Sequence, residues 1–167
     1  MKVLVTYMSQ TGNTKKVAEA IFEEIRVEKE IKAISEVDNI EGYDLTFLGF
    51  PIHKFGPDKK AVKFLEKHCV DGRNVVLFIT HASPEEHEDL LPMLDKFRQA
   101  ATGANIVDMF DCQGELAKGV KFILSIFPDV NFRQWAKQDT SLGQPNKARL
   151  DKARTFAREV IERFSLR

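Results

Sequence analysis

The sequence predicts an α/β domain built on a doubly wound, five-stranded parallel sheet. Three observations carry that expectation. Short apolar runs alternate with segments whose apolar residues recur every three or four positions, and strands alternating with helices pair in parallel through right-handed crossovers. The first run, Val3-Leu4-Val5, passes directly into a hydroxyl-rich turn and then a helical pattern. The chain has 167 residues, the size of one ordinary domain.

The elements follow in order. Lys2 to Tyr7 reads as a buried strand. Thr14 to about Arg26 reads as a helix with Val17, Ala18, Ile21 and Ile25 on one face. Ile31 to Ile34 is a short second strand flanked by charge, which marks a sheet edge. Leu45 to Phe50 is the third strand. Asp58 to about His68 is a helix, with Ala61, Val62, Leu65 and Cys69 toward the core. Asn74 to Thr80 holds Val75-Val76-Leu77-Phe78-Ile79, the clearest buried strand. Glu86 to Ala101 reads as a helix carrying Leu90, Leu94 and Phe97, and Ala104 to Phe110 as the fifth strand. Asn146 to Phe164 closes the chain as a helix with Leu150, Ala153, Ala157, Val160, Ile161 and Phe164 inward. Between Gly114 and Pro145 about 30 residues intervene, with Val120 to Phe127, Phe132 and Trp135 among them. That stretch is too apolar for an exposed loop. It reads as one or two short helices, inserted before the last helix and packed on the sheet or over one end of it.

Ser9-Gln10-Thr11-Gly12-Asn13-Thr14 is the segment that points to chemistry. A strand that ends in such a turn aims backbone N–H groups inward, and the following helix N-terminus adds partial positive charge. Ser9, Thr11 and Thr14 add hydroxyls, and Gly12 allows a tight turn. The turn lacks both Gly-x-Gly-x-x-Gly and a Lys after its glycine, so it is neither a dinucleotide fingerprint nor a Walker loop. Hydroxyls and amides without a fixed cation suit one terminal phosphate. The simpler alternative is that Ser9 or Thr11 only caps the helix.

Composition excludes several classes. With 43% hydrophobic and 30% charged residues the chain reads as a soluble globular protein. Its formal net charge is zero, which gives no general attraction to nucleic acid. Cys69 and Cys112 form no Cys-x-x-Cys, which argues against a disulfide framework or a zinc site. No stretch approaches the roughly 20 apolar residues of a membrane span. No leader precedes the first strand, so the expected compartment is the cytoplasm.

Ser-x-Thr-Gly-Asn-Thr after a first strand resembles the phosphate loop of the flavodoxins, and the resemblance runs from Met1 to about Arg163. Flavodoxins are small electron carriers that hold flavin mononucleotide (FMN) without a covalent bond. The resemblance implies a sheet of order 2-1-3-4-5 with the flavin at the β1/β3 switch point, a placement that belongs to the family and not to any spacing read here. It implies that Ser9, Gln10, Thr11, Gly12, Asn13 and Thr14 hold the phosphate. It implies that the isoalloxazine ring lies between two later loops, Pro51-Ile52-His53-Lys54-Phe55-Gly56 and Thr80-His81-Ala82-Ser83. The second loop has no Trp and the third no Tyr, unlike many flavodoxins. Phe55 or His53 is then the candidate for stacking, and His81 the ring nearest the other face. Family members turn over a second-loop peptide beside a small residue to receive flavin N5–H. Here that peptide is Phe55–Gly56, restricted by Pro57. Lys54 and the histidines would soften the charge of the reduced flavin. The neutral chain departs from the family's usual acidity.

His81, Glu85, Glu86 and His87 resemble a metal set, but Pro84 breaks their helical spacing, and an acidic first helical turn explains them better. Cys112 in Asp111-Cys112-Gln113-Gly114 reads as a buried thiol, and Cys69 as packing. The leading functional expectation is an FMN electron carrier, a monomer or weak homodimer, passing electrons to a partner redox protein. Alternatives are an NAD(P)H-dependent FMN or quinone reductase, or an accessory electron-supplying subunit of a larger reductase docked through the apolar 115–135 segment. The sequence does not decide whether the chain turns over a substrate of its own.

Overall fold

In the computed structural model, residues 1–84, 87–126, 128–137 and 139–166 are described. Five parallel strands, β1 (Lys2–Tyr7), β2 (Glu28–Ala33), β3 (Leu45–Pro51), β4 (Asn74–His81) and β5 (Asn105–Gln113), form one sheet in the order β2-β1-β3-β4-β5. That is the predicted doubly wound order. Helices α1 (Asn13–Glu24), α2 (Lys59–His68), α3 (Leu90–Ala100), α4 (Lys118–Ser125), α5 (Val130–Lys137) and α6 (Lys147–Ser165) complete the chain.

Alternation along each strand sends successive side chains to opposite faces. Val3, Val5, Phe47, Val76 and Phe78 meet Val17 and Ile21 of α1 and Ala157 and Val160 of α6. Leu4, Leu48, Phe50, Leu77 and Ile79 meet Leu65 of α2 and Leu94 and Phe97 of α3. Both faces of the sheet are therefore covered, and burying each such side chain contributes about 1.5–3 kcal/mol. Gly49 and Phe78 face each other in the β3–β4 register. A Cβ on Gly49 would lie 2.1 Å from the Phe78 ring, so the ring occupies the space the glycine leaves.

Several boundaries differ from the sequence reading, each for a physical reason. β2 begins at Glu28, earlier than Ile31, because an edge strand needs one ladder only and tolerates charge. Glu30 receives Lys2 at 3.0 Å, and Lys32 also pairs with it. These ammonium groups hold its carboxyl down to about 2. Ile34 belongs to a 3-10 turn, Ile34–Glu36. α3 starts at Leu90, which places Pro92 in the first turn, where no N–H is required. A start at Glu86, which lies outside the described residues, would put Pro92 inside the helix. β5 runs three residues past Phe110 because β4 extends to His81 and continues the ladder, so Asp111, Cys112 and Gln113 pair with Ile79, Thr80 and His81. Asp58 and Asn146 are N-caps, accepting from Ala61 N at 2.8 Å and Arg149 N at 3.1 Å.

The insertion does form two short helices, α4 and α5, packed on each other. The expectation that it packs on the sheet fails for α4, which has no buried residue. Val120, Phe122, Ile123 and Ile126 are exposed. Phe127 and the side chains of Phe132 and Trp135 lie outside the described residues.

Candidate functional site

The carboxyl ends of β1, β3 and β4 bring the three predicted loops to one edge of the sheet. The turn after β1 is anchored on β3 and closed by a local bond. Met8 N donates to Gly49 O at 2.8 Å, and Gly12 N donates to Ser9 Oγ at 3.1 Å. Gly12 adopts φ 91°, ψ −10° and is the residue from which α1 starts. No side chain caps that helix. This answers the simpler alternative: neither Ser9 nor Thr11 is a cap, so the first-turn N–H groups of α1 lack both intrahelical and side-chain partners. Gln10 and Thr11 are exposed, and a Cβ at Gly12 would meet nothing within 4 Å. An open, uncapped helix start with bare amides is a seat for an anion.

Thr14 plays a different part from Ser9. Its hydroxyl is buried and shares a 2.8 Å hydrogen bond with Thr80 Oγ1, tying α1 to the end of β4. Asn13 Nδ2 donates to Glu115 O at 2.8 Å, and a Cβ on Gly114 would stand 2.8 Å from Asn13. Gly114 N donates to His81 O at 2.8 Å. Buried Gln113 donates to Ala82 O at 3.2 Å and Thr140 Oγ1 at 3.0 Å, and accepts from Arg149 Nη2 at 3.0 Å. The exit of β5 is thus a fourth wall of the site; the sequence puts Asp111-Cys112-Gln113-Gly114 near the site but assigns none of them to holding the cofactor. Gly114 beside a strand end was its one local signal.

The second loop reverses within four residues. Ile52 N donates to Thr80 O, and His53 N to Gly56 O, both at 2.8 Å. Lys54 (φ 55°) and Phe55 (φ 131°) carry the left-handed conformations that a glycine or asparagine would adopt more cheaply. The sequence reading placed the flexibility at Gly56, whereas the strain falls on the two residues before it. Lys96 Nζ of α3 donates to Phe55 O at 2.8 Å. Phe55 is 60% exposed, so it is not a core phenylalanine, and its ring is open to a ligand. His53 is exposed as well.

The third loop differs from expectation at His81. Its ring is buried, with Nδ1 2.8 Å from Ser83 O and Nε2 3.1 Å from Asp111 Oδ2. A ring engaged on both nitrogens and closed to solvent braces the loop. Ala82 and Ser83 remain partly open. Of the metal-like set, His81 is committed in this way and Glu85 and Glu86 lie outside the described residues. Cys69 is buried in the core, and burial pushes its thiol up to about 12. Cys112 is buried too. A cavity of about 320 Å³ lies elsewhere, along β5, lined by Met109, Asp111, Arg149 and Lys152. It includes none of the three loops.

Residues 4–158 match the sequence profile of the flavodoxin domain. The chain belongs to the flavodoxin-domain family. The flavodoxin-like domain-containing protein BilS of Clostridioides difficile is 33% identical over 99% of both chains. Among solved structures, oxidised flavodoxin 2 from Bacillus cereus superposes with a TM-score of 0.63 at 18% identity, covering 98% of this chain and 99% of its own. A flavoprotein from Lactobacillus acidophilus, solved in complex with FMN, gives 0.55 at 23% identity over 66% of this chain and 92% of its own. The flavodoxin domain accounts for the sheet order and for the loop after β1. Among its described residues no helix is long and apolar enough to cross a membrane.

Proposed function

We propose that the protein binds FMN at the carboxyl edge of its sheet and carries electrons to a partner redox protein. The observation that carries this reading is the uncapped start of α1 behind Ser9–Gly12, with exposed Phe55 on the neighbouring loop. The backbone amides of Asn13 and Thr14 and the hydroxyls of Ser9 and Thr11 would hold the phosphate, with Gly12 shaping the turn, and the helix dipole favours its negative charge. Phe55, from Pro51-Ile52-His53-Lys54-Phe55-Gly56, would stack on the ring, worth about 0.5–1.5 kcal/mol beyond burial. The backbone of Thr80-His81-Ala82-Ser83 would line the opposite side, held rigid by Asp111 and Gln113. Bound FMN would supply one- and two-electron transfer. The chain's task is to hold it, exclude water from one face and accept its N–H groups on backbone carbonyls.

The sequence carries no second nucleotide fingerprint, which favours a carrier over an NAD(P)H-dependent reductase. Two free, buried cysteines suit a reducing cytoplasm. A monomer or weak homodimer is the working state. The test is to load the protein with FMN and add NAD(P)H in air. A carrier keeps its yellow absorbance until a partner is supplied, and bleaching by NADH or NADPH alone would mean a reductase.

A further inference from the structure

The α4–α5 insertion carries an apolar surface that the fold leaves uncovered. Phe122 and Ile126 are 65% exposed, Ile123 56% and Val120 45%. At 100° per residue Val120, Phe122 and Ile123 fall within one half of the circumference of α4, and Ile126 follows as its C-cap. Val130, at the start of α5, is exposed as well. The helices bear Lys118, Lys121, Arg133 and Lys137 and no carboxylate; exposed Asp129, in the turn between them, is itself engaged with a partner, so cations outnumber acids along the stretch. Lys121 is held at 2.8 Å by Asp139. Asp139 also accepts from Ser141 N at 2.9 Å. Burial raises this carboxyl, but Lys121 and the Ser141 donors outweigh burial and keep it below its ordinary range. Lys118, Arg133 and Lys137 are exposed around the apolar side chains.

We infer that this face is the docking site of a transient protein partner, a redox protein whose matching surface is apolar at its centre and rimmed by carboxylates. The inference rests on the electron-carrier reading and adds the partner's place and chemistry. Three features select that occupant. The first is size. Exposed apolar side chains on one eight-residue helix and its C-cap make a patch smaller than the roughly 800 Å² per partner of a stable complex, in the range of brief electron-transfer encounters. The second is charge. Two copies meeting through this face would set cation against cation, whereas acidic groups would be complementary. The third is position. The insertion leaves β5 at Gly114, where Glu115 O is held by Asn13 of the phosphate loop. It is anchored again where Ser141 Oγ accepts from Leu116 N at 2.8 Å and Thr140 from Gln113. Both ends of the insertion that carries α4 are therefore tied to the proposed cofactor edge.

The experiment uses the full chain loaded with FMN. A photo-crosslinking phenylalanine at position 122, irradiated in the source cells, covalently marks whatever covers the face. The marked protein is then purified, and the transfer of one electron from the reduced holoprotein to its oxidised centre is timed. Phe122→Asp with Ile123→Asp should slow that second-order rate at least tenfold without changing FMN affinity or the visible spectrum. Lys118→Glu with Lys137→Glu should slow it several-fold and flatten its dependence on salt. A crosslink to a second copy, co-sedimentation with phosphatidylglycerol vesicles that is lost on Phe122→Asp, the absence of any crosslink, or a rate indifferent to both pairs would each overturn the inference. Failure to take up FMN would sink the carrier reading instead, and the crosslink would still report what covers α4.

Discussion

Replacing Gly12 by alanine isolates the backbone's part in anion binding. The residue sits at φ 91°, ψ −10°, and a Cβ there meets nothing within 4 Å. The cost is therefore conformational and not steric. A left-handed L-residue costs about 1–2 kcal/mol. Part of this is offset because alanine restricts the unfolded chain, by about 0.4–1 kcal/mol. A net loss near 1 kcal/mol lowers the melting temperature by about 2–4 °C in a domain of this size. Without FMN the loop can relax and hide part of the strain, but the loaded protein must restore the loop. The full loss thus belongs to the FMN-bound form and a smaller one to the riboflavin-bound form, which has no phosphate to seat. Gly12→Asn should lose less, because asparagine tolerates this region. The assay is thermal unfolding of wild type and both variants, each saturated with FMN or with riboflavin. An FMN-loaded Gly12→Ala protein as stable as wild type, or equal losses with the two ligands, would refute the reasoning.

Gly49→Ala should destabilise the fold by about 3 kcal/mol or more, because its Cβ would enter the buried Phe78 ring; urea unfolding measures this, and a loss under 1 kcal/mol would contradict the packing. His68 is buried against Phe64, and burial together with nearby Lys67 and Arg73 lowers its proton affinity. Below about pH 6.5 the unfolded chain therefore takes up a proton that the folded chain resists, so stability falls as the pH drops through that value and is fully present above it. His68→Gln should flatten that part of the profile. Lys54→Asn should relieve left-handed strain and raise stability by a few tenths to about 1 kcal/mol; a lower melting temperature would show that Lys54 is not strained.

The local features were legible in the sequence and the distant ones were not. Val3 to Thr14 announces strand, turn and helix within a dozen residues, because the bond that closes the turn, from Gly12 N to Ser9 Oγ, is short-range. The buried β4 run and the inward faces of α1 and α6 were equally plain, since both layers follow simple periods. Charged residues that suit an edge hide the start of β2, and Pro92, at home in a first helical turn, sets the start of α3 later than the apolar period suggests. The bracing of the site was hidden. His81 meets Asp111 across 30 positions, Lys96 meets Phe55 across 41, and Asn13 meets Glu115 across 102. Apolarity also misled at α4, where Phe122 and Ile123 read as buried and are exposed.

The central claim is that the amides and hydroxyls after β1 seat a phosphate. Titrating the flavin-free protein with FMN and with riboflavin, followed by flavin fluorescence, tests it most directly. Several charge-assisted hydrogen bonds at about 1.5–3 kcal/mol each predict that FMN binds one per chain and at least tenfold to a hundredfold tighter than riboflavin. Equal affinity for the two, or no uptake of FMN, would contradict the account.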